Sequence, residues 1–229
     1  DLYLLTVAGD GRQGVFRREA NSIKQYFDEA LGTQGKSMQL VNSRLTAREI
    51  PQSTITSIKG SLNAIAQRMD AQQDILFVYL TSHGSKDHRF YLNHPEMPLN
   101  DLSAQELANM LAEIPVKHKV VVISACYSGG FIDALKNDNT LIMTAAAADR
   151  TSFGCSDNND FTYFGEAFIK DALPSVDSFS AAFDQAFDLV SAREKEQGFE
   201  ASIPQIHKPK AILDQLEKWR RGLLETVEH

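Results

Sequence analysis

Two cysteines, Cys126 and Cys155, are all that the 229 residues contain. No disulfide framework can therefore hold the chain, and each thiol needs its own explanation. Tryptophan occurs once and proline seven times. No stretch reads as a linker, a repeat or a low-complexity tract, and no apolar run approaches the ~20 residues that span a bilayer. Positive charge is the scarcer sign, with 23 Lys and Arg against 30 Asp and Glu and a net charge of −7. Without a basic stretch interleaved with aromatics, the chain does not read as a nucleic-acid binder. At 43% apolar and 23% charged, the composition is that of an ordinary globular protein, long enough for a real core. One domain, 1–229, is the simplest organisation. The chain opens on Asp1 rather than Met, which points to a removed upstream segment and toward a secreted or periplasmic protein. His229 is given no functional weight.

Short apolar runs alternate with longer helical patterns. That rhythm predicts an α/β fold, a mostly parallel sheet with crossover helices on both faces. Strands are expected at Leu2–Ala8, Ser37–Val41, Ile75–Thr81 and Lys119–Ser124, with a weaker one at Thr140–Ala146. The run Ile75-Leu76-Phe77-Val78-Tyr79-Leu80 is apolar without alternation, as expected of a strand covered on both faces. Arg89–Leu92 reads as a short hairpin strand. Ile55, Ile58, Leu62, Ile65 and Met69 mark one face of a helix. Ser103-Ala104-Gln105-Glu106 is a capping box, opening a helix through Leu107, Met110 and Leu111. Two further stripes, Phe179, Phe183, Phe187, Val190 and Ile212, Leu216, Trp219, Leu223, read as core-facing helices.

Ligands bind beyond the carboxyl ends of strands in such sheets, and two reactive side chains fall there. The run ending at Thr81-Ser82 leads into His83-Gly84. The run ending at Ile123-Ser124 leads into Ala125-Cys126-Tyr127-Ser128-Gly129-Gly130. Neighbouring parallel strands would bring the His83 imidazole and the Cys126 thiol to one edge, where a base can generate the nucleophilic thiolate. Gly84 would let a backbone amide approach a substrate carbonyl. The amides of Gly84 and Cys126 could then form an oxyanion hole, worth on the order of 3 kcal/mol per donor. Gly129-Gly130 would permit a tight turn. A cysteine behind one apolar strand is more often an inert buried residue. The conjunction of both motifs on separate strands favours a Cys/His dyad. Neither a metal site nor a serine nucleophile is supported, since His83, His88 and His94 lack completing ligands and no Gly-x-Ser-x-Gly elbow occurs. Cys155 reads as structural or incidental.

His83-Gly84 and Ala125-Cys126-x-Ser128-Gly129 resemble the catalytic motifs of the caspase-like (clan CD) cysteine peptidases, and within them the legumain (C13) family. Further blocks are similar: Thr144-Ala145-Ala146, Arg150-Thr151-Ser152-Phe153-Gly154-Cys155, Tyr163-Phe164-Gly165-Glu166 and Phe16-Arg17-Arg18-Glu19-Ala20. The resemblance spans roughly 2–168 and implies a three-layer α/β/α sandwich with a caspase-like sheet. It also implies a cysteine endopeptidase needing no cofactor, with Cys126 as nucleophile, His83 as general base and acid, and a peptide or protein as substrate. In that family the pocket for the P1 side chain is zwitterionic and suits asparagine. The matching positions are Arg17 and Glu166, with Ser152 on the wall and Ser124 where legumains carry a glutamate. Ser82 replaces an acidic residue, and Val15 stands where legumains place the asparagine that assists histidine. Asparagine is the expected P1 residue, with Asp or a basic residue next. An extended substrate is expected to bond to the main chain of Thr144–Thr151. The small size implies a compact bacterial member. Two alternatives stand beside this reading, a catalytically silent scaffold or subunit of the same fold and a transamidase related to the GPI-anchoring enzyme.

Overall fold

The computed structural model describes residues 1–227; His229 lies outside them. Among the described residues, eight strands and seven α-helices follow one another. They are β1 (Leu2–Ala8), α1 (Gly14–Ala30), β2 (Ser37–Val41), α2 (Ile55–Ala66), β3 (Ile75–Thr81), β4 (Arg89–Phe90) and β5 (Leu102–Ser103). Then come α3 (Ala104–Glu113), β6 (His118–Ser124), α4 (Ile132–Leu135), β7 (Thr140–Thr144), α5 (Tyr163–Gly165), α6 (Phe179–Gln197), β8 (Gln205–His207) and α7 (Lys210–Val227). Between α5 and α6 the chain forms a π-helix over Glu166–Ala172.

Six strands make the main sheet in the order β2-β1-β3-β6-β7-β8. Every pairing is parallel except β7 with β8. Alternate residues of each strand point to opposite faces, so each strand supplies two cores. Leu2, Leu4, Phe77, Tyr79, Val120 and Val122 face Ile23 and Phe27 of α1, Phe183 of α6 and Ile212 of α7. Leu5, Val7, Leu76, Val78, Leu80 and Val121 face Ile58 and Leu62 of α2 and Leu107 of α3. Helices on both faces make the three-layer α/β/α sandwich, and explain why β1 and β3 lack polar alternation.

Local signals place the elements. Thr54 and Ser57 form a reciprocal capping box at the start of α2, as Ser103 and Glu106 do for α3. The Phe179 stripe joins a stack in which Phe179 lies against Phe27, Phe77 and Trp219, with centroids 6.1, 5.0 and 5.9 Å apart.

Three sequence expectations are adjusted. β6 begins one residue earlier, at His118. β7 stops at Thr144, because the chain turns at Ala145–Ala147 to pass over the loop that follows β6. The strand expected at Arg89–Leu92 is only two residues long and pairs with β5. The antiparallel edge strand β8 gave no periodic signal, since three residues behind Pro204 are too short to show one.

Candidate active site

β3 and β6 are parallel neighbours in a register that sets Thr81 opposite Ser124. The ladder runs one step further, with the Ser82 amide donating to the Ser124 carbonyl at 3.2 Å. His83 and Cys126 therefore leave the sheet side by side at its carboxyl edge.

His83 is held by a residue the sequence reading did not single out. Gln13, the N-cap of α1, makes no capping bond with its side chain; its carboxamide oxygen lies 2.7 Å from His83 Nε2. That oxygen can only accept, so Nε2 carries the proton and Nδ1 keeps the lone pair. Phe16 packs edge-on against the ring, 5.1 Å between centroids. Burial pushes the His83 pKa below the usual histidine value, and the negative charge of Asp10 partly opposes it. The position expected to carry the assisting asparagine, Val15, is instead fully buried core. Gln13 lies two residues earlier, where β1 has ended and the chain enters α1, and the only available signal was a polar residue beside the Gly11 and Gly14 turn.

The Cys126 sulfur is half-buried and receives the Ser152 amide N–H at 3.3 Å. The Ser152 carbonyl and hydroxyl oxygens lie 3.5 and 3.6 Å from it. Ser152, expected on a pocket wall, thus stands against the Cys126 sulfur. The amides of Gly84 and Cys126 find no acceptor among the described residues, which leaves both free to donate to a substrate oxygen. Gly84 is a necessity of close approach. A methyl group there would lie 2.1 Å from the Cys126 carbonyl oxygen. Gly84→Ala is therefore expected to displace the His83 loop from Cys126 and to lower kcat/KM by roughly a hundredfold. Steady-state kinetics checks this; an unchanged value would mean that the two loops do not need this contact.

The remaining expected pocket residues make no hydrogen bond to one another. Ser124 is buried, and its hydroxyl is engaged by Thr162 Oγ1 at 3.0 Å beneath the site. Glu166 opens the π-helix, where Arg193 of α6 and Lys170 hold its carboxylate at 2.6 and 2.9 Å. Those two cations hold its pKa below the usual range. Arg17, on the first turn of α1, is half-exposed and makes no hydrogen bond or ion pair among the described residues. Arg17 and Glu166 form no ion pair with each other; Arg193 and Lys170 hold the acid instead. The main chain of 144–151 is also partly committed. Thr144 pairs with Gln205 of β8, the Ala147 amide donates to Ser202, and the Arg150 carbonyl accepts from Tyr127.

An acid not anticipated as a site residue lies beneath. Glu19 is fully buried and accepts from Tyr79 Oη at 3.0 Å and from the Thr162 amide at 2.7 Å. Burial raises its pKa above the usual range, against the lowering effect of its Thr162, Thr81 and Tyr79 hydrogen bonds. Gly165 is packed so closely that an added methyl would strike the Glu19 carboxylate. Cys155 packs against the small cluster containing Val15 and Phe16. Burial, with the negative charge of Cys126, Glu19 and Asp10 around it, pushes its thiol up to about 12. It stays protonated, in keeping with a structural role.

The 153–162 segment is tied to the same helix as Gln13. The Asp157 carboxylate accepts from the Gly14 amide at 2.6 Å, and Arg18 Nη2 donates to the carbonyls of Asp157 and Asn159, each at 2.6 Å. The start of α1 thus braces His83 on one side and this segment on the other. Among the described residues, no helix is long and apolar enough to cross a membrane.

Comparison with known proteins agrees with this architecture. No curated protein matches the chain. Caspase-1 from Spodoptera frugiperda is similar in structure, with a TM-score of 0.64 over 90% of this chain and 86% of that one, at 14% sequence identity. That likeness shows a caspase-like fold. The family model of the peptidase C13 family matches residues 46–213, a span that holds His83, Cys126 and Ser152 but not Gln13 or Glu19. With most of its length inside that match, and the caspase-like sheet beneath it, this chain belongs to the peptidase C13 family, a family of cysteine peptidases.

Proposed function

We propose that the protein is a cysteine endopeptidase working through Cys126 and His83. The observation that carries this reading is the pair of in-register strand ends: imidazole and thiol leave adjacent parallel strands, with Gln13 on one ring nitrogen and free amides at Gly84 and Cys126. His83 Nδ1 takes the Cys126 proton, and the sulfur attacks the scissile carbonyl. The resulting oxyanion accepts from the Gly84 and Cys126 amides. The imidazolium then protonates the leaving amine as the C–N bond breaks, leaving a thioester on Cys126. A water gives its proton to His83 and attacks the thioester, which releases the acid product and regenerates the thiol. No cofactor enters these steps.

For P1 we propose asparagine first, with Asp or a basic side chain next. Arg17 is the cation available to a P1 oxygen, and Ser152 the wall group beside the sulfur. With Glu166 neutralised by Arg193 and Lys170, specificity rests on Arg17 more than on a balanced pair. A fluorogenic tripeptide panel with Asn, Asp, Arg, Lys or Ala at P1 tests this. Cleavage after Asn that falls at least tenfold in Arg17→Ala supports the assignment; a preference for Arg or Lys would overturn Arg17 as the specificity residue. Silence across the panel, with Cys126 no more reactive toward iodoacetamide than free cysteine, would favour a scaffold role.

A further inference from the structure

We propose that His88 is a positioning residue for the oxyanion-binding turn, holding the Tyr127 carbonyl so that the Cys126 amide stays aimed at the developing negative charge. The proposal rests on the peptidase reading above and concerns the same site.

Tyr127, the residue after the nucleophile, has φ 56° and ψ 18°. A bulky side chain in the left-handed region is strained, and such strain persists only where the surroundings over-determine it. Here both ends of the residue are tied. Its amide donates to the Arg150 carbonyl at 2.7 Å. Its carbonyl accepts from the Gly130 amide at 3.2 Å and lies 3.2 Å from His88 Nδ1. A carbonyl oxygen only accepts, so His88 Nδ1 carries the proton.

His88 is itself at φ 56°. It closes a tight turn in which its amide donates to the Ser85 carbonyl at 3.0 Å, while the Ser85 amide donates to Arg89 at 3.1 Å. Two left-handed residues therefore meet across one hydrogen bond, one on the His83 loop and one on the Cys126 loop. Gly130 completes the fit. A methyl there would lie 2.1 Å from His88 Nδ1, so the imidazole occupies the space that glycine leaves. The glycine expected to ease a turn instead makes room for a ring, and the turn residue itself is Tyr127. Releasing the Tyr127 carbonyl would let that residue relax to negative φ, which shifts Cys126 and its amide relative to the Gly84 amide across the loop.

Two variants separate the hydrogen bond from the backbone requirement. Glycine and asparagine both accept positive φ, but only asparagine places a donor near the position of Nδ1. His88→Gly is expected to lower kcat roughly 30-fold with KM within about twofold, a partial loss compared with deleting an oxyanion donor outright. Inhibition by a peptide aldehyde, whose hemithioacetal oxygen occupies the oxyanion position, should weaken in proportion. Alkylation of Cys126 by iodoacetamide should hold within about twofold, since His83 and the sulfur are untouched. His88→Asn should recover most of kcat. The proposal is overturned if His88→Gly keeps its kcat, if kcat, alkylation and melting temperature fall together, or if His88→Asn is no better than His88→Gly. Absence of any hydrolysis by the unaltered protein would overturn the peptidase reading and this proposal together. Hydrolysis unaffected by His88→Gly would overturn this proposal alone.

Discussion

Cys126→Ala and His83→Ala are each expected to lower kcat/KM by roughly 10³- to 10⁴-fold, because each removes a member of a unit that acts together. That is about 4–5.5 kcal/mol of transition-state stabilisation. The double variant should be little worse than either single one. Progress curves on the best panel peptide decide it; additive losses would mean that the two residues act in separate steps. The pH dependence carries a sign. Burial lowers the His83 pKa below the usual histidine value of 6.5. The neutral base therefore survives to lower pH, and the acid limb of kcat/KM should lie below 6.5. Asp10 opposes that depression, so Asp10→Asn should move the limb lower still. A limb above 6.5, or one that rises in Asp10→Asn, would refute this role for His83. The same depression bears on stability. Below pH 6.5 the unfolded chain binds this proton more readily than the folded one. The group's contribution is complete above 6.5 and is lost as pH falls through the folded value.

Glu19→Ala should destabilise the fold by about 3–5 kcal/mol, because it leaves the Tyr79 hydroxyl and the Thr162 amide buried without an acceptor and opens a cavity. Glu19→Gln should lose only about 1 kcal/mol. Its oxygen can serve the Thr162 amide, and its NH₂ can donate to a rotated Tyr79 hydroxyl. Here the sign runs the other way. The folded pKa of Glu19 is raised from 4.5, so the folded state holds the proton more tightly. That contribution is fully present below 4.5 and is lost as pH rises through the folded value. Wild type should therefore exceed Glu19→Gln in stability most clearly near pH 4.5, with the gap narrowing toward pH 7. Urea unfolding at both pH values measures it. A Glu19→Ala loss under 1 kcal/mol would show that this carboxylate is not what joins α1 to the Thr162 turn.

Much of the fold is legible because its signals are local. β1 and β3 run where unbroken apolar segments predicted them, the Ser103 and Glu106 capping box opens α3, and the Phe179 and Ile212 stripes bury the faces they marked. β8 is not legible. Three residues carry no periodicity, and their strand state comes only from the free edge of β7 beside them. The π-helix at Glu166–Ala172 is likewise set by packing against α6 rather than by a pattern of its own.

The site divides in the same way. His83-Gly84 and Cys126 could be read from the chain, because the end of an apolar strand followed by a reactive residue and glycine is a contiguous signal, and parallel pairing converts it into proximity. The company those residues keep could not. Gln13 reaches His83 across 70 positions, Glu19 meets Thr162 across 143, and Glu166 turns to Arg193 rather than to Arg17. The sequence by itself determined at which edge of the sheet the His83 imidazole and the Cys126 thiol would stand. Only the tertiary structure decided what orients them, because hydrogen bonds between distant side chains depend on where helices settle on the sheet, and no local spacing records that.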